Sequence, residues 1–218
     1  MSILSSGEVK ELLKLKPADR NGLVITPLLD PDTAFDADSV DLRLGSHFLL
    51  PKTLQQPYFC PDANSATALH TAVYIPIGKY LVVPAHQTIL GATLEFLKLP
   101  YNVSGQVLTR SSVARTFVVV ETAPWIHPEY RGCLTLEIAN VSNTPVLLYP
   151  GRPICQLILM QVNRQEPSEK LETDYFGPVY PEGPKFDDPE TDLAAIGVKR
   201  TSVIKRCINT ESGLKLEP

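Results

Sequence analysis

No apolar run in these 218 residues approaches the roughly 18 that a membrane-spanning helix needs. The start, MSILSSGEVKELL, has neither the basic opening nor the long apolar stretch of a secretory leader, so the chain reads as cytoplasmic with no membrane partner. Only four cysteines occur, Cys60, Cys133, Cys155 and Cys207, far apart and without a C-x-x-C, which argues against a disulfide scaffold. The four histidines, His47, His70, His86 and His127, are equally scattered. Neither H-E-x-x-H nor the zinc-deaminase pattern of H-x-E followed by P-C-x-x-C is present, so hydrolytic chemistry here is expected to proceed without zinc. Positive charge is not in excess either: 20 Lys and Arg face 24 Asp and Glu, a formal net charge of −4. That balance argues against duplex nucleic acid as a partner while leaving free nucleotides open. Asn102-Val-Ser and Asn140-Val-Ser match the glycosylation acceptor pattern and read as chance matches in a cytoplasmic chain.

What is abundant is proline, 20 of 218 residues, roughly 9% against an average of about 5%. One helix is predicted: Ser5 and Glu8 have capping-box spacing, Val9, Leu12 and Leu13 form an apolar stripe, and the element ends before Pro17. From Leu23 onward, short β-prone runs alternate with Pro, Gly, Asn and Asp. They are Leu23–Thr26, Ser39–Leu44, Ala72–Ile77, Lys79–Val83, Thr88–Phe96, Val103–Leu108, Thr116–Glu121, Cys133–Ala139, Val146–Tyr149 and Ile154–Val162. The fold class is therefore mostly β, with many short strands. In SVDLRLG, Val40, Leu42 and Leu44 alternate with Asp41 and Arg43, as in a strand with one buried face. Asp41 and Arg43 read as a solvated or cross-strand ion pair, or as part of a subunit interface.

The character changes after Val162, which divides the chain into a β domain at 1–164 and an extended arm at 165–218. Between Gln165 and Asp192 lie nine acidic and two basic residues, a net of −7, so the remainder carries +3. Five prolines suit an extended arm. Tyr175, Phe176, Tyr180 and Phe186 suit an arm that docks on its own or a neighbouring subunit rather than a solvated linker.

Three segments could carry chemistry. Arg110-Ser111-Ser112-Val113-Ala114-Arg115 lies between two predicted strands; its guanidinium forks and hydroxyls suit phosphate oxygens, and a solvated turn is the alternative. In Cys133–Ala139, Leu134, Leu136 and Ile138 share one face and Thr135, Glu137 and Ala139 the other. Glu137 is either a solvent-side glutamate or, facing a cleft, a general base. Between them, Ala123-Pro124-Trp125-Ile126-His127-Pro128-Glu129-Tyr130-Arg131-Gly132 would wall a base pocket or pack as a long turn.

Together, SVDLRLG at 39–45, RSSVAR at 110–115, HPEYRGCLTLE at 127–137 and YPGRPICQLIL at 149–159 resemble the dCTP deaminase branch of the trimeric dUTPase superfamily, from the N-terminal helix to about Val162. The resemblance implies a distorted β-barrel or jelly-roll-like dUTPase-type fold with a short N-terminal helix and an extended C-terminal arm. It also implies a homotrimer with active sites at subunit interfaces. Glu137 would be general base and proton shuttle, and Ser111 and Arg115 would touch the attacking water and the cytosine end. Arg110 and Ser112 would hold phosphates, Ala123 would line the base site, and Thr135 and Leu136 would accompany the glutamate. Mg²⁺ would enter with the triphosphate of dCTP, without zinc.

Three departures stand out. His127 occupies the position before Pro128 where the family usually has an aspartate near the sugar, the carboxylate with which dUTPases orient their hydrolytic water. The tail reads Gly177-Pro178-Val179-Tyr180-Pro181-Glu182-Gly183-Pro184, which keeps Tyr180 but not the lysine and glutamine that close on the triphosphate. The acidic arm extends beyond the common core. The leading expectation is deamination of dCTP to dUTP and ammonia, supplying dTTP synthesis. The alternatives are a bifunctional dUMP-forming enzyme or dUTPase-like pyrophosphatase, and a noncatalytic trimeric nucleotide-binding protein.

Overall fold

The computed structural model describes residues 2–53, 69–167 and 177–185. Cys60, Cys207, Tyr175, Phe176 and Phe186 lie outside them. Helix α1 (Ser6–Leu13) is capped as its sequence predicts: the Glu8 amide donates to Ser5 Oγ at 3.4 Å, and the Ser5 amide donates to the Glu8 carboxylate at 2.8 Å. Its Val9 is buried, and Leu12 and Leu13 pack against the core.

Among the described residues there are eleven strands, of which all but the unexpected β1 fall on the alternating runs: β1 (Ser2–Ile3), β2 (Val24–Thr26), β3 (Val40–Pro51), β4 (His70–Tyr74), β5 (Leu81–Val83), β6 (Thr88–Lys98), β7 (Val103–Thr109), β8 (Val118–Glu121), β9 (Arg131–Asn140), β10 (Val146–Leu148) and β11 (Pro153–Gln161). Two one-turn helices, α2 (Pro31–Ala34) and α3 (Ser111–Ala114), complete the elements. One nine-stranded antiparallel sheet runs β1-β11-β3-β6-β9-β8, with β2 on β6, β4 on β3 and β7 on β11; β5 and β10 form a separate ribbon. The sheet curls into a mostly-β half-barrel. Leu42, Leu44, Phe48, Leu97, Leu136, Ile138, Leu157 and Leu159, all almost fully buried, fill its inside.

Two bulges interrupt the ladders: β3 advances four residues from Leu44 to Phe48 against two of β6, and β6 advances four from Ala92 to Phe96 against two of β9. Side chains repair the backbone bonds these break. Thr93 Oγ1 accepts the Leu134 amide at 2.9 Å and donates to the Glu95 carbonyl at 2.8 Å, and the buried Glu95 carboxyl accepts the Arg43 amide at 2.9 Å. Desolvation pushes Glu95 up to about 7, against the lowering effect of the Arg43 amide.

Candidate active site

Strand β7 ends at Thr109, whose hydroxyl both donates to the Val120 carbonyl and accepts the Val120 amide at 2.8 Å, clamping β7 to β8. The RSSVAR segment therefore leaves a rigid corner. Instead of the expected loop it forms α3, with Arg115 at its C-terminal cap. A helical turn sorts its residues: Ser111 and Arg115, four apart, share one side, while Ser112, Val113 and Thr116 line an open pocket of about 470 Å³ on the other. Arg110 and Arg152 line the same pocket. The structure thus brings together Arg110 and Ser112, the pair expected at the phosphates, and separates them from Ser111 and Arg115, the pair expected at the base.

Of Asp41 and Arg43, for which an ion pair is one expectation, Asp41 forms one and Arg43 bonds to backbone carbonyls. Alternation on β3 gives them different partners: Asp41 Oδ2 meets the Arg110 guanidinium at 3.1 Å, whereas the Arg43 guanidinium donates to the Gly151 and Leu29 carbonyls at 3.3 Å. The other oxygen of Asp41, Oδ1, is buried with no hydrogen-bond partner.

Glu137 lies on the outer face of β9, exposed, two residues from half-buried Thr135. No hydrogen bond or ion pair joins its carboxylate to Ser111 or Arg115 among the described residues, and both of those are exposed on α3. A single chain therefore presents the two halves of the expected catalytic group without uniting them. Leu136 is fully buried, so only its backbone can reach a ligand. Ala123 and His127 are exposed in the β8–β9 connection, and Trp125 is half-buried there. Tyr130 packs against the core, its hydroxyl donating to the Cys133 carbonyl at 2.9 Å, and burial holds that hydroxyl well above its ordinary titration range. For Tyr130 the local-packing alternative is the one realised.

The tail segment 177–185 docks on its own chain. It takes the edge of β9 that β8 leaves free: the Gly177 amide donates to the Arg131 carbonyl at 2.8 Å and the Cys133 amide to the Pro178 carbonyl at 2.7 Å. Gly132 permits this approach, because its φ is +141° and a Cβ there would stand 2.5 Å from Pro178 Cδ. Further on, the Glu182 amide donates to Thr135 Oγ1 at 3.1 Å, and Tyr180 sets its ring edge-on to His47 with centroids 4.3 Å apart. Glu182 pairs with Lys185 at 2.9 Å, which offsets its repulsion of any phosphate.

Sequence reasoning singled out neither Glu121 nor Arg152. Glu121 closes the apolar run VVVE, and Arg152 sits inside YPGRPICQ; the signal for each was a charged residue at the border of a buried strand. Among the described residues no three His, Cys, Asp or Glu side chains gather as a metal site, and no helix is long and apolar enough to cross a membrane.

The chain as a whole is similar to known proteins. A relative from Dictyoglomus thermophilum named "dCTP deaminase, dUMP-forming" is 35% identical over 175 residues, covering 80% of this chain and 85% of its own. One of the same name from Coprothermobacter proteolyticus is 38% identical over 156 residues, covering 71% and 80%. A "dCTP deaminase" from Halorubrum lacusprofundi is 33% identical over 162 residues, covering 73% and 77%. The crystal structure of 2'-deoxycytidine 5'-triphosphate deaminase from Agrobacterium tumefaciens shares the fold with a TM-score of 0.56 at 22% identity, over 72% of this chain and 48% of that one. The family described as "dCTP deaminase-like" matches residues 3–162, which contain strands β2 to β11 and the whole RSSVAR turn, and the chain belongs to that family.

Proposed function

We propose that the protein hydrolytically deaminates dCTP at C4 of cytosine. The observation that carries this is the family match over residues 3–162, which spans both the RSSVAR turn and the strand bearing Glu137. In this reading the Glu137 carboxylate takes a proton from water as the oxygen attacks C4, then delivers protons to the amino nitrogen so that ammonia leaves and the C4 carbonyl forms. Ser111 and Arg115 hold the water and the base, with Arg115 offsetting developing negative charge. Ala123 and Thr135 line the base, the Leu136 backbone accompanies them, and His127 offers an imidazole to the sugar. Arg110 and Ser112 hold phosphates, and Tyr180 closes over the nucleotide on the arm, 165–218, that extends the β domain at 1–164.

This reading calls for assembly as a homotrimer, in which a neighbour's α3 would bring Ser111 and Arg115 to the exposed Glu137. Exposed apolar side chains are available for such contacts at Ile77, Tyr80, Val82, Leu147 and Phe117. Mg²⁺ carried by the triphosphate would find one fitting protein oxygen, the orphaned Asp41 Oδ1 beside Arg110, and its chemistry there is to neutralise phosphate charge.

A second reading, favoured by the names of the Dictyoglomus and Coprothermobacter relatives, has the same protein continue to dUMP. His127 speaks against it, since an imidazole lacks the water-orienting carboxylate. The test is incubation with dCTP and Mg²⁺, with nucleotides resolved by chromatography and ammonia assayed. Deamination is expected, with dUTP or dUMP telling the readings apart. Glu137→Gln should abolish ammonia release, and Arg115→Ala should nearly do so; full activity in Glu137→Gln would refute the mechanism. Bound but unchanged nucleotide would favour a noncatalytic binding protein.

A further inference from the structure

The pocket beside α3 holds a second arginine that the reading above leaves unused. Arg152 follows Gly151 in the turn between β10 and β11, where Gly151 has φ +85°. Its backbone is pinned to β3 from both sides: the Gly151 amide donates to the Leu44 carbonyl at 2.7 Å, and the Leu44 amide to the Arg152 carbonyl at 2.9 Å. Two residues along, the Ile154 carbonyl accepts the Arg110 amide at 3.2 Å. One frame of backbone hydrogen bonds therefore sets both arginines into the lining of one pocket.

Their charges are met differently. Arg110 is paired with Asp41, while Arg152 has no carboxylate partner among the described residues and lies over the Tyr149 ring, 5.1 Å from its centroid. Stacking on an aromatic face orients a guanidinium while leaving its donor edge free, and such a planar fork suits phosphate oxygens. Two like charges facing one pocket repel until an anion enters between them. Ser112 adds a hydroxyl donor to the same pocket.

Resting on the deaminase reading, we propose that Arg152, stacked on Tyr149, is a further phosphate-binding residue of this site. With Arg110 and Ser112 it grips the outer phosphates of a nucleoside triphosphate and so selects triphosphate over monophosphate.

The test compares the full chain with Arg152→Gln and Arg152→Lys. Arg152 is exposed, so both variants should keep the parent's melting temperature and elution volume. Steady-state ammonia release is measured against dCTP, dCDP and dCMP at two salt concentrations. Arg152→Gln should raise KM for dCTP tenfold or more with a smaller fall in kcat, and should shrink the preference for dCTP over dCMP. Arg152→Lys, which keeps charge but loses the fork and the stacking, should fall between. An unchanged KM and an unchanged triphosphate preference would overturn the inference while leaving the deaminase reading intact. Should the parent release no ammonia, that reading fails, and calorimetric binding of inorganic triphosphate decides the site: weaker binding by Arg152→Gln supports it, and equal binding overturns it.

Discussion

Glu121 on β8 and Glu137 on β9 stand directly opposite one another in the antiparallel register, with both carboxylates on the outer face of the sheet and exposed. Like charges in that relation weaken strand pairing by a few tenths to about 1 kcal/mol. Neighbours on the same cross-sheet row, Leu90 and Leu49, bring no cation to relieve them. Glu121→Lys should therefore raise the melting temperature slightly, because an ammonium would meet Glu137. The same ion pair would occupy the proposed base, so deamination should drop tenfold or more. A variant as active as the parent would show that Glu137 works without a free carboxylate, against the mechanism.

A second consequence concerns pH. Glu95 is buried in the β6 bulge and titrates at about 7 instead of near 4.5. Between those values the folded chain binds a proton that the unfolded chain has lost, so the stability this group contributes is complete below about 4.5 and falls as pH rises to about 7. The loss is bounded at roughly 3 kcal/mol. Glu95→Gln keeps an oxygen for the Arg43 amide and cannot ionise. Denaturant unfolding of this variant should show a flatter pH dependence from 4.5 to 7 and greater stability than the parent at pH 8. Equal slopes in the two proteins would place the titration elsewhere.

Much of this architecture was legible in the sequence because its signals are local. Ser5 and Glu8 needed only three-residue spacing to announce the α1 cap, and alternation alone placed Leu134, Leu136 and Ile138 inside and Glu137 outside. The misses are long-range. Nothing near Asp41 in sequence indicates Arg110, 69 positions on, as its partner, since that contact depends on β7 and β3 both pairing with β11. The depth of Glu95 depends on a bulge that breaks the simple period of two. The one-turn helix α3 is too short to leave a periodic signature, and it is what sorts Ser111 and Arg115 from Ser112.

The tail offers a third prediction. Among the described residues it is held by backbone bonds to β9 and by the ring of Tyr180 against His47 of β3. Tyr180→Ala should speed hydrogen exchange of the Cys133 amide, which Pro178 protects, by tenfold or more, while core amides such as Leu97 stay protected. Ending the chain at Val162 should in addition weaken triphosphate binding if the tail closes over the nucleotide; unchanged affinity would assign it another task.

The last prediction comes from Asn140, whose match to the glycosylation pattern is refuted by its burial. Its Nδ2 shares two hydrogens among the carbonyls of Val83, Pro84 and Thr144 at 2.9 to 3.0 Å, and its Oδ1 accepts from the amide and hydroxyl of Ser142. This one side chain ties the end of β9 to β5 and to the turn leading into β10, the ribbon that supports the Arg152 pocket. Alanine there would strand several buried polar groups, each costing about 1–3 kcal/mol where water cannot enter. Asp would keep the Ser142 bonds but turn its second oxygen toward three carbonyls, a repulsive arrangement. Both variants should therefore lower stability by about 2 kcal/mol or more in denaturant unfolding, with Asp no milder than Ala despite its closer shape. If Asp were clearly the milder, the bonds donated by the amide nitrogen would matter less than the Ser142 turn.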